Sequence, residues 1–323
     1  MPRILTLGEI VVEIMARDVG QSLGAPGVLL GPYPSGAPAI FIDQVARLGV
    51  PAALVGCVGD DAFGRLVTAR LAADGVDVSA VAVLPDATTG AAFVTYRGDG
   101  GRDFVFHIAD SASGRLGAAQ LTPQALRGCT HLHLMGSSLF APGLVEAALQ
   151  AVAQVREAGG TVSFDPNLRQ EMLGRPGLKD ALRQVLACTD IFLPSGDELT
   201  LLVDAEDEAT ALQRLQALGV REVVIKRGAA GASCIHAGGR CDVAPLAVEE
   251  IDPTGAGDCF GGAYVACRLL GHPPEEALRW ANAAGARAVT RRGPMEGAST
   301  FTELAALLGR VPAPAAAPQE CRP

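Results

Sequence analysis

The most informative segment of the chain is Asp252-Pro253-Thr254-Gly255-Ala256-Gly257-Asp258. Its proline and two glycines predict a tight turn, and the apolar run 259–270 predicts a helix that begins near Ala256. The first N–H groups of such a helix lack intrahelical partners and lie at the positive end of its dipole. Because glycine lets an anion approach those amides closely, the segment predicts an anion-binding turn.

Asp258 lies within the first turn of this predicted helix, so its carboxylate would stand beside any bound anion. A carboxylate repels a resting phosphate, which is costly unless the group takes a proton from an attacking hydroxyl. An acidic residue also favours a helix N-terminus for electrostatic reasons alone. The residues by themselves leave both interpretations open.

The composition is that of a globular protein. Of the 323 residues, 49% are hydrophobic and 19% are charged, which provides a sizeable core and excludes a disordered chain. The 26 Lys and Arg residues against 35 Asp and Glu residues give a net charge of −9. This acidic balance argues against nucleic acid as a partner.

The sequence also argues against a membrane protein. It has no run of about 18 apolar residues, and residues 1–15 contain two glutamates, which is untypical of a signal peptide. Eight cysteines form no CxxC pair and are typical of small buried side chains in a reducing compartment, with a disulfide or zinc site as the minor alternative. We therefore expect a cytoplasmic protein.

Strand-like and helix-like patterns alternate, which predicts a mostly parallel sheet covered by helices. The predicted strands are residues 3–8, 11–15, 52–58, 130–135, 161–164, 191–193 and 222–226. The predicted helices are residues 37–48, 61–73, 144–158, 179–187, 198–203, 256–270 and 275–292.

Two regions interrupt the alternation. Residues 23–35 contain too many glycines and prolines for a helix, and residues 91–108 form two extended runs around Gly98, Gly100 and Gly101. The second pattern predicts a hairpin. A hairpin inside an α/β pattern is typical of a small second sheet that stands off the main one and covers a cleft.

We expect one α/β domain over residues 1–310. Its β-lid segments would lie at about 10–34 and 90–110. Residues 311–323 are rich in alanine and proline and are predicted to form a mobile tail.

Several motifs occur in a fixed order between about residues 4 and 300. Residues 252–260 resemble the C-terminal signature of the PfkB carbohydrate kinases, and residues 35–39 with 46–49 resemble the N-terminal signature of that family. The supporting matches are Val55-Gly56-Cys57-Val58-Gly59-Asp60-Asp61-Ala62-Phe63-Gly64, Asp165-Pro166-Asn167-Leu168-Arg169 and Lys226-Arg227-Gly228-Ala229-Ala230-Gly231-Ala232. The resemblance implies an α/β, ribokinase-like three-layer sandwich with a central mostly parallel sheet and a small β lid.

The resemblance further implies an ATP-dependent sugar kinase that uses Mg²⁺. Asp258 would be the catalytic base, and the amides of Gly255, Ala256 and Gly257 would form the anion hole. The sugar site would comprise Glu13, Gly36, Ala37, Tyr96, His107, Arg169 and Asp258. The nucleotide site would comprise Asn167, Ser195, Lys226, Gly228, Gly231, Gly255, Gly257 and Asn282.

The same resemblance implies the cations. Glu198 would hold Mg²⁺ through water, close to Asn167 and Arg169, and a monovalent cation such as K⁺ would lie in loops beside the Asp252 turn. Tyr96 and His107 are included because they lie in the predicted hairpin; exposed strand positions are the alternative for both.

The chain departs from the family pattern mainly at the sugar end. Ser35 and Ile40 stand where the signature usually has Gly and Asn, and Glu13 stands where many members have Asp. The usual Asn-x-x-Glu reads Ser195-Gly196-Asp197-Glu198. The phosphate end is intact, so the substrate is less well determined than the chemistry.

A neutral ketohexose such as tagatose or fructose is the preferred acceptor, because residues 33–38 and 194–198 are similar to kinases of that type. A sugar acid such as 2-keto-3-deoxygluconate is the alternative; it requires an arginine in the cleft, and the hairpin region offers Arg97, Arg102 and Arg115. A ribokinase, a nucleoside kinase and a non-catalytic sugar sensor remain further alternatives. Exposed lid strands would pair in a homodimer.

Overall fold

The computed structural model describes residues 3–168 and 177–309. Its strands are β1 (Arg3–Leu7), β2 (Val11–Ala16), β3 (Leu29–Ser35), β4 (Ala52–Gly59), β5 (Val76–Asp77), β6 (Val81–Leu84), β7 (Gly90–Tyr96), β8 (Arg102–His107), β9 (Cys129–Met135), β10 (Thr161–Asp165), β11 (Ile191–Phe192), β12 (Glu222–Lys226), β13 (Ala232–His236) and β14 (Gly239–Val243).

The helices surround these strands. They are α1 (Ala37–Arg47), α2 (Ala62–Ala73), α3 (Pro123–Leu126), α4 (Pro142–Glu157), α5 (Leu178–Leu186), α6 (Glu198–Leu201), α7 (Glu208–Ala217), α8 (Ala256–Leu269), α9 (Pro274–Ala288) and α10 (Phe301–Leu308). In the described part of the chain, no helix has the length and hydropathy that a membrane span requires.

The main sheet has ten strands in the order β14-β13-β12-β11-β10-β9-β1-β4-β5, with β6 also paired to β4. Seven neighbouring strands of this sheet run parallel to one another: β5, β4, β1, β9, β10, β11 and β12. At the β12 edge, β13 pairs antiparallel with β12, and β14 pairs antiparallel with β13. Strand β4 is buried at every residue, as expected for a parallel strand covered on both faces.

Helices cover both faces of this sheet, and each face has its own apolar core. One core contains side chains of α1, α8, α9 and α10, among them Phe41, Tyr264 and Leu278. The other contains side chains of α4, α5 and α7, among them Leu144 and Leu182. The predicted three-layer α/β sandwich with a mostly parallel sheet is therefore confirmed.

A second sheet of four strands has the order β3-β2-β7-β8. The predicted hairpin over residues 91–108 corresponds to β7 and β8, which pair antiparallel from Ala91↔His107 to Tyr96↔Arg102. Strand β2 pairs antiparallel with β3 and parallel with β7. Since side chains alternate along a strand, Arg102, Phe104 and Phe106 share one face of this sheet.

The structure differs from the sequence prediction at several elements. Helix α9 ends at Ala288 rather than at residue 292, because the carbonyl of Val289 accepts N–H groups from Ile251 and Asp252 of a neighbouring loop. The hairpin β13–β14 and helices α7 and α10 were not predicted, although Thr300 and Glu303 form a capping box at α10. The proposed tail, residues 311–323, lies outside the described residues.

A buried carboxyl group lies between α1 and α2. Asp43 is fully buried, and no described N–H or O–H group donates a hydrogen bond to it. Burial, with Asp74 adding to the effect, raises the pKa of Asp43 to about 8 although Arg70 lies nearby. A neutral Asp43 can donate its proton to the Asp74 carboxylate, which lies beside it.

We predict that Asp43→Asn stabilises the protein at alkaline pH. Below pH about 4, Asp43 is neutral in both the folded and the unfolded protein. Between pH about 4 and about 8 it ionises only on unfolding, so the free energy of unfolding falls by up to about 1.4 kcal/mol per pH unit. The melting temperature of the variant relative to the wild type should therefore be higher at pH 8 than at pH 5. Asp60→Asn, at an exposed loop, is the matched control. Equal differences at both pH values would contradict a neutral buried Asp43.

Candidate active site

A cavity of about 550 Å³, here called the first cavity, lies between the carboxyl ends of the main strands and the second sheet. Ligands of open α/β sheets bind at this end of the strands. Its wall contains Glu9, Val11, Glu13, Ser35, Gly36, Ala37, Ile40, Ala92, Arg97, Arg102, Asp103, Phe104, Phe106, Ile108, Asn167, Leu168, Ser195, Glu198, Lys226, Pro253, Thr254, Gly255, Gly257 and Asp258.

Helix α8 begins at this cavity, as the sequence predicts. Gly255 precedes the helix with φ 79°, in the left-handed region, and a Cβ there would lie 2.3 Å from the carbonyl oxygen of Pro294. The buried carboxylate of Asp252 accepts N–H groups from Thr254 at 3.0 Å and Gly293 at 2.9 Å. The turn is thus fixed by its own contacts, which include a long one of 3.4 Å from the Ala256 N–H to the Pro253 carbonyl. The first amides of a helix lack intrahelical acceptors, so they can meet a ligand here.

Asp258 lies in the first turn of α8 and lines the first cavity. Its Oδ1 lies 3.5 Å from Nδ2 of Asn167. Asn167 adopts φ 40°, unusual for a residue with a side chain, and its N–H donates to Asp165 at 3.1 Å. A strained residue held in this way is typical of a functional site, where it orients its side chain.

Lys226, the last residue of β12, stands in a group of carboxylates. Its Nζ pairs with the buried Asp165, and a Cβ on Gly257 would lie 3.8 Å from Nζ. Burial alone would lower the pKa of Lys226, but Asp165, Glu198 and Asp258 outweigh it and raise the pKa. The ammonium group is therefore charged, and it lies beside the amides of α8.

Glu198 connects two loops at the same end of the sheet. Its carboxylate accepts the N–H of Leu168 and the N–H of Ser195, both at 2.6 Å. Burial raises the pKa of Glu198 to about 7, opposed by Lys226 and assisted by Asp165. Among the described residues, no three His, Cys, Asp or Glu side chains form a metal-binding cluster.

Two buried carboxylates form the opposite end of the first cavity. Glu13 on β2 accepts a hydrogen bond from Ser35 Oγ at 3.1 Å. Glu9 accepts from Ser138 Oγ at 2.5 Å and from Ser137 Oγ at 3.3 Å. Gly36 has φ 112°, and a Cβ there would lie 2.4 Å from the carbonyl oxygen of Glu9, so this end requires glycine.

The second sheet supplies the remaining wall. Arg102 Nη1 donates to Thr254 Oγ1 at 3.1 Å, which ties β8 to the turn before α8. Arg97 pairs with Asp99 and Asp103, at 3.3 and 2.8 Å.

A second cavity, of about 340 Å³, adjoins the first and shares Lys226, Pro253 and Gly257 with it. Its other lining residues include Gly228, Gly231, Ala256 and Asn282, together with apolar side chains of residues 245–248 and of α9. Asn282 Nδ2 donates to the carbonyl of Ala244 at 2.8 Å. The turn that the sequence predicts to bind an anion thus lies where the two cavities meet.

The structure brings most of the sequence-predicted residues to these two cavities. The first is lined by Glu13, Gly36, Ala37, Asn167, Ser195, Glu198, Lys226, Gly255, Gly257 and Asp258, and the second by Lys226, Gly228, Gly231, Ala256, Gly257 and Asn282.

Three predicted residues are not in either wall as described. Tyr96 lies beside Asp252 and Thr254, where burial raises the pKa of its hydroxyl, and it does not line the first cavity. His107 is exposed on the far face of β8 and packs edge-on against Phe93, 5.9 Å between ring centres. Arg169 lies outside the described residues.

Sequence reasoning did not select Glu9, and on the inner face of β8 it selected only Arg102, as an arginine for a sugar acid. The alternation of Arg102, Phe104, Phe106 and Ile108 along a predicted hairpin strand was a usable signal, since a period of two places these side chains on one face. Glu9 follows the first strand directly, at the edge where ligands bind, which was a weaker signal.

Comparison with known proteins gives the family. The model of the pfkB family carbohydrate kinases matches residues 1–300. Fructokinase-1 of rice, Oryza sativa subsp. japonica, is 33% identical in an alignment of 318 positions that covers 94% of this chain and 97% of the rice protein.

Two solved structures agree with this match. An Escherichia coli protein with the provisional name ribokinase II, solved with ATP and Mg²⁺, is 52% identical with a TM-score of 0.93, covering 96% of this chain and 100% of that one. A double mutant of Vibrio cholerae fructokinase, solved with fructose, ADP and potassium ion, is 29% identical with a TM-score of 0.84, covering 95% and 98%. This chain therefore belongs to the pfkB family of carbohydrate kinases and is an ATP-dependent sugar kinase.

Proposed function

We propose that the enzyme transfers the γ-phosphoryl group of ATP to a hydroxyl of a neutral ketohexose of the fructose or tagatose type. The observation that carries this proposal is the charge of the sugar end: Glu9 and Glu13 form one wall and Asp258 lies in the same cavity. Carboxylates accept hydrogen bonds from sugar hydroxyls and repel an anionic acceptor. The fructokinase relatives support the same class of substrate.

In this proposal Asp258 takes the proton of the attacking hydroxyl as the new O–P bond forms. Asn167 holds its carboxylate in place, and the amides of Gly255, Ala256 and Gly257 bind the transferring phosphoryl group. Glu13, Gly36 and Ala37 orient the sugar at the opposite end of the first cavity. Arg169 is kept as a substrate residue on the family resemblance alone.

The nucleotide would occupy the second cavity. Gly228, Gly231 and Asn282 line it, and Lys226 at the junction would meet the phosphates. The carboxylate of Glu198 fits Mg²⁺ held through water, with phosphate oxygens and Asn167 and Ser195 nearby. Bound Mg²⁺ would neutralise charge on the phosphates. A K⁺ ion beside the Asp252 turn is proposed by analogy with the potassium-bound Vibrio cholerae fructokinase.

A sugar acid is the second candidate acceptor. Arg97 and Arg102 both lie in the wall of the first cavity, as a sugar carboxylate would require. Ribose is a third, supported by the provisional name of the Escherichia coli relative. A sensor without catalytic activity has no support, since the chain belongs to a kinase family.

The acceptor can be identified by ADP release from Mg·ATP with fructose, tagatose, 2-keto-3-deoxygluconate, ribose and adenosine. We expect fructose or tagatose to give the highest kcat/KM, at least about tenfold above the sugar acid, because like charges in a desolvated cavity repel. A preference for the sugar acid would overturn the neutral ketohexose.

We predict that Asp258→Asn abolishes most turnover and leaves binding intact. Loss of a positioned base costs about 10²–10⁴ in kcat, while the amides of α8 and the sugar wall are unchanged. Calorimetry should give near wild-type Kd values for ATP and sugar. Asp197→Asn, at the start of α6, is the matched control and should keep its activity. A near-normal kcat for Asp258→Asn would refute its role as the base.

The proposal includes a homodimer formed through the outer face of the second sheet. Ile14, Phe93 and Val105 stand side by side on that face, away from the first cavity, and Val105 is 45% exposed. Ile14 and Phe93 are half-buried. A row of half-buried and exposed apolar side chains on a sheet is suited to packing against a second copy.

Val105→Glu should convert the dimer to a monomer, because it places a charge in this apolar row. Val83→Glu, at a residue 57% exposed on β6 outside the second sheet, is the matched control and should remain dimeric. Light scattering coupled to gel filtration measures both. A wild type that is monomeric at micromolar concentration would remove the dimer from the proposal.

A further inference from the structure

Of the residues that the structure describes, three with cationic side chains line the first cavity: Arg97, Arg102 and Lys226. Lys226 is paired with Asp165, and Arg97 with Asp99 and Asp103. Arg102 has no ion-pair partner within residues 3–168 and 177–309. A half-buried guanidinium without a counter-ion is costly, so its position calls for an anion from a ligand.

Arg102 is directed towards the phosphate end of the cavity. Its Nη1 donates to Thr254 Oγ1 at 3.1 Å, and Thr254 is followed directly by Gly255, which precedes α8. The guanidinium carbon lies over the Phe104 ring, 5.5 Å from the ring centre, in a cation–π contact. This places the cation beside the anion-binding amides, whereas Glu9 and Glu13 occupy the sugar end.

The charge balance of the site gives the reason for a further cation. The carboxylates of Asp165, Glu198 and Asp258 surround the single ammonium group of Lys226. A transferring phosphoryl group adds negative charge, spread over its three equatorial oxygens. Its approach to Asp258 therefore requires a donor that can reach those oxygens from the open side, and the planar fork of an arginine fits them in pairs.

We propose that Arg102 is a catalytic residue, whose guanidinium binds the equatorial oxygens of the transferring phosphoryl group opposite the amides of α8. In the step it assists, the bond from the γ-phosphorus to the β–γ bridging oxygen breaks, the bond to the sugar hydroxyl oxygen forms, and Asp258 takes the hydroxyl proton. The inference rests on the proposed kinase reaction. It assigns the Arg102 guanidinium to the phosphoryl group; the alternative anion is a carboxylate of a sugar acid.

The test compares Arg102→Gln and Arg102→Lys with Arg17→Gln, using the acceptor that the wild type phosphorylates best. Removing a donor that acts only in the transition state lowers kcat by about 100-fold or more and leaves the sugar KM within about threefold. Arg102→Lys keeps the charge and should recover part of the loss. Arg17→Gln should keep its activity, because that guanidinium follows β2 of the second sheet, is paired with Asp18 and lies outside both cavity walls as described.

Thr254→Val separates the chemistry from a purely structural contact. It removes the hydroxyl that accepts from Arg102 but keeps the guanidinium, so its loss in kcat should stay below about tenfold. An equal loss in Thr254→Val and Arg102→Gln would mean that Arg102 only ties the second sheet to the turn, and would overturn the proposal.

Binding of ADP with Mg²⁺, aluminium fluoride and sugar tests the same contact without turnover. Arg102→Gln should bind ADP as the wild type does and lose affinity for the fluoride complex, which mimics the phosphoryl group in transfer. Unchanged affinity for that complex would overturn the proposal. Thermal melting confirms that each variant is folded.

The kinetic constants for the acceptor distinguish the two anions that Arg102 could bind, namely the transferring phosphoryl group and a carboxylate of the acceptor. If Arg102→Gln raises the acceptor KM and leaves kcat unchanged, the guanidinium binds a carboxylate of the acceptor and the proposal fails. If the wild type prefers an acceptor other than a ketohexose, only the substrate of the proposed function fails, because the kcat and fluoride measurements are then made with that acceptor.

Discussion

The buried carboxylate of Asp252 is the contact on which the site depends. It accepts N–H groups from Thr254 and from Gly293, and so joins the turn before α8 to the loop after α9. The backbone N–H groups of residues 251 and 252 in turn donate to Val289, at the end of α9. With the turn held from both sides, the start of α8 is fixed at the positive end of a helix that packs extensively against α9 and α1. The Ala256 N–H makes a long contact of 3.4 Å to the Pro253 carbonyl. Helix packing therefore positions the amides to which the proposed function assigns the phosphoryl group.

The second constraint is electrostatic. Asp165, Glu198 and Asp258 would repel one another at the carboxyl ends of the strands if Lys226 did not stand among them. The lysine is fixed because β10, β11 and β12 are parallel neighbours, which brings the last residues of β10 and β12 to the same edge of the sheet. If β12 ran antiparallel to β10, Lys226 would lie at the opposite edge of the sheet from Asp165. The parallel topology therefore has a direct chemical effect: it assembles opposite charges from residues that are 61 positions apart in the chain.

The sequence was sufficient for the parts of the molecule that are encoded locally. The turn at residues 252–258, the hairpin of β7 and β8 and the parallel strands all have short-range signals, namely glycine and proline positions, alternation and apolar runs. The contact between Arg102 and Thr254 joins residues 152 positions apart and has no local signal. The same holds for the clamp on Glu9, whose serines are 128 and 129 positions away. His107 was assigned to the sugar site because the hairpin was predicted correctly but its inner face was not identified; the alternation that places Phe104 and Phe106 inside places His107 outside.

The two ends of the first cavity are built from different parts of the chain, and this explains where the sequence departs from its family. The proposed phosphate end is formed by α8, Lys226 and Glu198, where a shift of about 1 Å in a catalytic group costs about 10²-fold in rate. The proposed sugar end is formed by Glu9 after β1, by β2, by the end of β3 and by the start of α1. There Ser35, the last residue of β3, stands in place of a glycine and donates to a longer acid, Glu13. A glycine at position 35 would leave that oxygen of Glu13 without this donor, so the two departures compensate each other. Substrate choice can therefore change through paired substitutions at the sugar end, while the chemistry at the phosphate end stays as it is.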